Sequence, residues 1–194
     1  ARVRMLEAHF PVPMLMENMR MGEAVCAALK DQPVAHVVYV SSDAVYKDSA
    51  EPLSESSCAE PGSLHGVMHL AREVMLRSEF SGPLVVVRPT LTYGIDDPHN
   101  GYGPNRFGRL AAERKDIVLF GEGEEQRDHV AVDDIAELVL RVVLHRSTGI
   151  VNAVTGEVVS FRTLAEFIAA QFAQPVAIKG SPRVGAMPHN GLRP

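Results

Sequence analysis

The chain is short of cysteine, of long apolar runs and of positive charge, and each shortage removes a class of protein. Cys26 and Cys58 are its two cysteines among 194 residues. That is too few for a disulfide scaffold, so a reducing compartment, the cytoplasm, is expected. Each thiol reads as a small buried hydrophobe or a bystander. No apolar run approaches the roughly 20 residues a helix needs to span a bilayer, and the opening ARVRMLEAHF lacks the apolar core and cleavage pattern of a signal peptide. No membrane association is expected. A formal net charge of −5 and a pI near 5.9 leave no basic stripe, which argues against nucleic acid or an acidic membrane as partner. Glycine is absent before Gly22.

What is present describes an ordinary globular chain. Hydrophobic residues make up 46% and mean hydropathy is +0.01, enough for one domain, or one and a half, with a real core. Ala1 stands where a start methionine is usual, which suggests that the sequence begins part-way into a longer protein.

Apolar residues at Met14, Leu15, Met19, Gly22, Val25, Cys26 and Leu29 fall on one stripe and predict a helix over 14–30. Pro11 and Pro13 mark its start and Gln32-Pro33 follows its end. Met14, Met16, Met19 and Met21 read as core and interface packing. Residues 36–40 and 84–87 are β-branched runs of the kind buried in parallel sheets. Between them a polar loop over 47–62 leads into a helix over 63–79, which makes a right-handed βαβ unit. Leu64, Val67, Met68, Ala71, Val74 and Met75 are its expected core side, with His65, His69 and Arg72 on the adjacent face. The loop LTYGIDDPHNGYGPN has a length that is usually functional or a domain crossing. A helix is expected at 106–114, a strand at 117–120, and a helix from 133 or 134 to 144 with an acidic first turn. Short strands at 150–154 and 157–159, a helix over 161–172 capped by Ser160 and a strand at 176–179 complete the pattern. Strands alternating with helices predict a doubly wound α/β fold. Ligands bind such sheets at the carboxyl ends of the strands, where Ser41 and Ser42 stand.

Several segments, in order, carry a family resemblance. NMRMGEAVCAA, from Asn18, is similar to an Asn-x-x-Gly helix opening, and VVYVSSDAVY to a strand bearing an active-site Ser or Thr. PGSLHGVMHLARE sits where a Tyr-x-x-x-Lys helix is found, and VVVRPTLTYG resembles the strand whose Arg-Pro turn lies against a nicotinamide. VLFGEGEEQRDHVAVDDIAE resembles a segment that binds the substrate nucleotide and re-enters the core, and PRVG a second substrate-arginine region. Together they resemble the extended short-chain dehydrogenase/reductase family, in its NAD-dependent epimerase/dehydratase branch acting on nucleotide sugars.

The resemblance covers almost the whole chain and implies a Rossmann-like doubly wound parallel sheet with a smaller α+β substrate domain. Residues 1–92 would be the C-terminal part of the dinucleotide-binding domain. Residues 93–194 would be mainly the substrate domain, with the helix at 133–145 returning to the Rossmann core. NAD or NADP is the implied cofactor and a nucleotide-linked or related sugar the implied substrate, with hydride transfer coupled to proton transfer. A homodimer through the helices at 14–30 and 63–79 is also implied. By the same resemblance Asn18, Ser41, His65, His69, Arg88, Pro89 and Thr90 line the cofactor. Ser42, Asp43, His65 and His69 carry the proton chemistry, and Phe120, Arg127 and Arg183 hold the substrate.

The chain departs from that pattern in two places. The N-terminal βαβ unit with its glycine-rich pyrophosphate turn is missing; by the usual size of a Rossmann half-domain, about ninety residues would precede Ala1. Gly121-Glu122-Gly123 reads as a surface turn, since Glu122, Glu124 and Glu125 repel phosphate. Second, His65 and His69 stand at the Tyr and Lys positions. Histidine is a general base near neutral pH without help, but it is shorter than tyrosine and a poorer fixed cation than lysine. Two protonated imidazoles four residues apart also disfavour each other.

Four readings of the pair stand open: a retuned acid/base site with Ser42, a catalytically degenerate relative that binds a cofactor or ligand or scaffolds a partner, a metal site with Asp43 as third ligand, and ordinary surface histidines. Ser42 is a catalytic hydroxyl or a strand-end cap, and Asp43 an acid or a turn residue. Arg127 is a diphosphate clamp or an ion pair with Asp128 or Glu125, and Arg183 carries the same substrate-arginine expectation. Leu91 stands where many relatives have a substrate-contacting Asn.

Overall fold

Val85, Val86 and Val87 are all fully buried, which shows how the sheet is built. Consecutive strand residues point to opposite faces, so three buried neighbours require cover on both sides. The computed structural model describes residues 11–49, 51–97 and 100–182. In it β1 (Val37–Val40), β2 (Leu84–Pro89) and β6 (Gly149–Ala153) form a parallel sheet in the order β1-β2-β6. On one face Val86 and Tyr39 pack with Cys26 of α1 (Val12–Asp31) and Leu76 of α2 (Leu64–Glu79). On the other, Val85 and Val87 pack with Ile135 and Val142 of α4 (Val132–Leu144). Helices on both faces of a parallel sheet make this a Rossmann-like α/β fold.

A second core gathers Phe107 of α3 (Pro104–Ala112), Ile117 and Leu119 of β4 (Ile117–Phe120), and Phe161 and Ala165 of α5 (Phe161–Ala169). There β4 pairs in parallel with β8 (Ile178–Ser181). Ser160 caps α5 by accepting a hydrogen bond from the Thr163 amide at 3.0 Å.

Two strands lie where the sequence reading places loop. Gln126–Ala131 is β5, parallel to β3 (Leu91–Tyr93) and antiparallel to β7 (Val158–Ser160). QRDHVA is polar for a strand, because tertiary cover rather than apolar character buries Arg127, Asp128 and His129. Asp128 accepts hydrogen bonds from Thr155 N, Thr155 Oγ1 and Gly156 N within 3.1 Å, which replaces the water it gives up. Between β4 and β5, Gly121 and Gly123 take positive φ of 58° and 78° in a turn that Arg162 fastens through Glu122.

Helix α2 also faces the core differently from its apolar pattern. Leu64, Val67 and Val74 are exposed, while Gly66, Met68, Glu73 and Leu76 are buried. The rotation follows from a carboxylate: Glu73 has a cationic partner inside the sheet, and its pairing turns that side of the helix inward.

Candidate functional site at the carboxyl end of the sheet

Strand alternation puts Tyr39 and Ser41 on the face covered by α2. The Ser41 hydroxyl donates to Glu73 Oε1 at 2.6 Å. Arg88, near the end of β2, donates to the same carboxylate through Nε at 3.0 Å and Nη2 at 2.6 Å, while its guanidinium carbon lies 4.7 Å from the centre of the Tyr46 ring. Glu73 is 0% and Arg88 3% exposed. Ser41 and Arg88 therefore meet in a buried bidentate ion pair beneath the edge rather than in an open cleft. Pro89 ends β2 in register with Ala153. Thr90 is buried too, its hydroxyl between Asp43 Oδ2 at 3.3 Å and the Asp128 carbonyl at 3.2 Å.

Above this layer the chain turns sharply. Ser42 Oγ accepts from the Ala44 amide at 3.1 Å and caps the 3-10 turn Asp43–Val45. Helix α2 rests directly on that turn at Gly66. A Cβ there would meet the Ala44 carbonyl oxygen at 2.1 Å, so only glycine allows the approach. The contact brings the first turn of α2, capped by Ser63, up to Ser42 and Asp43. His65 and His69 follow one turn apart, with ring centroids 4.7 Å apart and planes at 80°.

Both imidazoles are held neutral at neutral pH. Burial, then the charges of His65 and Arg72, lowers the pKa of His69 to about 4. His65 is solvent-accessible, yet the protein around it displaces enough water to lower its pKa, with the Asp43 carboxylate pulling the other way. His69 Nδ1 lies 3.1 Å from the Tyr39 hydroxyl. Arg72 sits over the Tyr39 ring at 5.4 Å and donates to Asn18 Oδ1 at 3.4 Å, which ties Asn18 of α1 to the cluster.

Arg127 reaches the same edge from β5. Its Nη2 is 3.3 Å from Asp43 Oδ2 and its Nη1 3.8 Å from Glu125 Oε1, so it bridges the 3-10 turn to the second core. Its sequence neighbour Asp128 is engaged elsewhere, with Thr155 and Gly156. Phe120 stands apart, its ring 4.5 Å from that of Tyr102. Arg183 lies outside the described residues. Among the described residues no group of three or more His, Cys, Asp or Glu side chains is placed to hold a metal.

Three residues belong to this region that the sequence reading passed over. Tyr39 looks like one more apolar strand residue, but its i, i+2 relation to Ser41 was a readable sign that both face α2. Glu73 lies one turn beyond His69 on the same helix face, a second readable sign. His129 gave none. Its ring is buried edge-on against Phe161 at 5.4 Å, with no hydrogen-bond partner for either nitrogen among the described residues, and burial followed by the Arg127 charge lowers its pKa to about 4.

Two hollows, of about 460 Å³ beside Pro83, Leu84 and Gly149 and about 430 Å³ beside Tyr93, Val132 and Phe172, lie away from the histidines. The cluster lies at the carboxyl edge of the sheet, where His65 is exposed and His69 half-buried.

The model of the NAD dependent epimerase/dehydratase family matches residues 6–154, well over half of the chain. The chain belongs to that family. As a member of the NAD dependent epimerase/dehydratase family it is 29% identical over 139 residues to dTDP-L-rhamnose 4-epimerase of Burkholderia thailandensis, an alignment covering 66% of this chain and 38% of that protein. Among solved structures, UDP-N-acetylglucosamine 4-epimerase from Methanobrevibacter ruminantium M1, in complex with UDP-N-acetylmuramic acid, superposes with a TM-score of 0.84 at 22% identity. That match covers 96% of this chain and 61% of the other. UDP-glucuronic acid 4-epimerase from Bacillus cereus, in complex with NAD, superposes at 0.79 with 19% identity, covering 88% and 57%. At such identities the superpositions establish the fold. This family member spans 38% to 54% of the length of five curated relatives that it matches. Among the described residues no helix is long and apolar enough to cross a membrane.

Proposed function

We propose that the chain belongs to an NAD(P)-dependent enzyme acting on a nucleotide-linked or related sugar, with Ser42 and His65 handling the proton. The observation that carries this reading is the Gly66 contact, which seats two neutral imidazoles of α2 against the Ser42–Asp43 turn at the carboxyl end of a parallel sheet. In this reading His65 and His69 occupy the positions of the family's Tyr and Lys. Ser42 hydrogen-bonds the reacting hydroxyl, and His65, neutral at pH 7, takes its proton or returns it. His69 donates a hydrogen bond to a ribose hydroxyl.

The donor set fits the nicotinamide–ribose end of a dinucleotide, which offers neutral hydroxyl and amide groups. None of the described residues forms a glycine-rich phosphate cradle. When bound, the nicotinamide supplies hydride exchange. Residues 1–92 would then be the C-terminal part of the dinucleotide-binding domain and residues 93–194 mainly the substrate domain, crossed by α4. Arg127 would meet a substrate diphosphate by exchanging its Asp43 or Glu125 partner for it.

One observation favours a second reading. A His69 held neutral cannot replace a fixed lysine cation, which supports a catalytically silent member that binds a cofactor or ligand. The experiment is turnover by the complete protein with NAD or NADP and a panel of nucleotide sugars. Wild type is expected to be active, and His65→Ala to lose about 10²–10⁴-fold in kcat. An inert wild type whose His65→Tyr/His69→Lys variant gains activity would establish the silent reading. A homodimer through α1 and α2 is part of the proposal, supported by exposed Met21, Val25, Val67 and Val74. A monomer in sedimentation equilibrium removes it.

A further inference from the structure

We infer that Tyr39 is a positioning residue whose phenol O–H donates to Nδ1 of His69 and fixes that imidazole as the Nε2–H tautomer. This rests on the acid/base reading of His65 and adds a division of labour to it.

The two atoms are 3.1 Å apart, and either group is chemically able to donate. The surroundings choose. Among the described residues the Tyr39 oxygen makes no second hydrogen bond, and the residue is buried. Were the imidazole the donor, the phenol proton would have no acceptor among the described residues. Stranding it disfavours that arrangement by about tenfold or more. Neither partner escapes by ionising. Burial pushes the Tyr39 pKa up to about 12, and burial with the Arg72 charge keeps His69 down at about 4. Arg72, 5.4 Å over the Tyr39 ring, opposes a second proton on His69 throughout that range.

His69 is therefore a neutral donor through Nε2 and cannot compete for the substrate proton. In the proposed reaction His65 is then the imidazole of the pair that accepts it. The partner this suits at His69 is a neutral acceptor such as a sugar hydroxyl, not an anion that needs a cation.

The test is nuclear magnetic resonance of the complete protein labelled with ¹⁵N at histidine, correlating ring carbons' protons with both ring nitrogens between pH 5.5 and 8. The His69 signals are assigned by their loss in His69→Asn. Wild type is expected to show an unprotonated Nδ1 and a protonated Nε2, unchanged across the range. In Tyr39→Phe the Nδ1–H share should rise about tenfold while the backbone amide spectrum stays native. A protonated Nδ1 in wild type, or the same tautomer ratio in a folded Tyr39→Phe, overturns the inference; should the variant fail to fold, the wild-type spectrum decides alone. A His69 fixed as stated in a protein without turnover would sink the proposed reaction and leave the role of Tyr39 standing. Turnover with an Nδ1–H His69 would do the reverse.

Discussion

Replacing Glu73 with glutamine should destabilise the fold far more than a change of one atom suggests. The carboxylate is fully buried and receives two hydrogen bonds from Arg88, itself 3% exposed, and one from Ser41. Arg77 also touches it at 3.4 Å but is half exposed, so it returns to water at little cost. Arg88 has no such exit, because the Tyr46 ring covers its face. Removing one member of a buried pair leaves the other charge uncompensated and costs about 3–5 kcal/mol. Glutamine still accepts one hydrogen bond, so Glu73→Gln belongs at the lower end, near 3 kcal/mol, and Glu73→Ala near 5 kcal/mol. For a chain of this size 3 kcal/mol corresponds to a fall in Tm of about 6–12 °C. Urea unfolding followed by far-ultraviolet circular dichroism measures the loss. The pairing argument also fixes the double variant: Glu73→Leu/Arg88→Met should be more stable than either single change. A Glu73→Gln protein within 1 kcal/mol of wild type, or a double variant that loses the sum of both singles, would show that the ion pair does not hold α2 to the sheet.

The remaining predictions concern pH and packing. His129, with a folded pKa near 4 against an ordinary 6.5, stays neutral while the unfolded chain takes up a proton, so stability falls as pH drops from about 6.5 to 4. The full shift corresponds to roughly 3 kcal/mol, and His69 acts in the same direction. His129→Phe should reduce the drop in urea midpoint between pH 7.5 and 4.5; equal drops in both proteins would show that His129 does not titrate this way. Gly66→Ala should cost about 1–3 kcal/mol despite alanine's better helix propensity, because the new methyl meets the backbone of Ala44. Unchanged stability by urea unfolding would mean that α2 slides off the turn without penalty.

Much of the fold was legible because it rests on local periodicity. Valine runs marked β1 and β2, the 3.6-residue stripe marked α1, and Ser160 announced α5. The alternation of strand and helix was enough for a doubly wound α/β fold, and the family resemblance narrowed it to the Rossmann-like class. Strands β3 and β5 were not legible, since Arg127-Asp128-His129 looks like loop until distant residues cover it. The candidate site was legible as a meeting place of side chains. Ser42, Asp43, His65 and His69 do converge on one edge, because a strand end and the start of the crossover helix that follows it must meet there. What each side chain does there was not.

The sequence by itself determined which segments become strands and helices, that the sheet is parallel and covered on both faces, and that two histidines share a helix face. Those properties follow from backbone geometry and the order of residues along the chain. Only the tertiary structure decided that Glu73 turns inward to Arg88, that Arg127 pairs with Asp43 rather than Asp128, and that Tyr39 stands behind His69. Each depends on groups 15 to 84 residues apart. At those separations desolvation and hydrogen-bond pairing in the packed interior, not local pattern, select the partner.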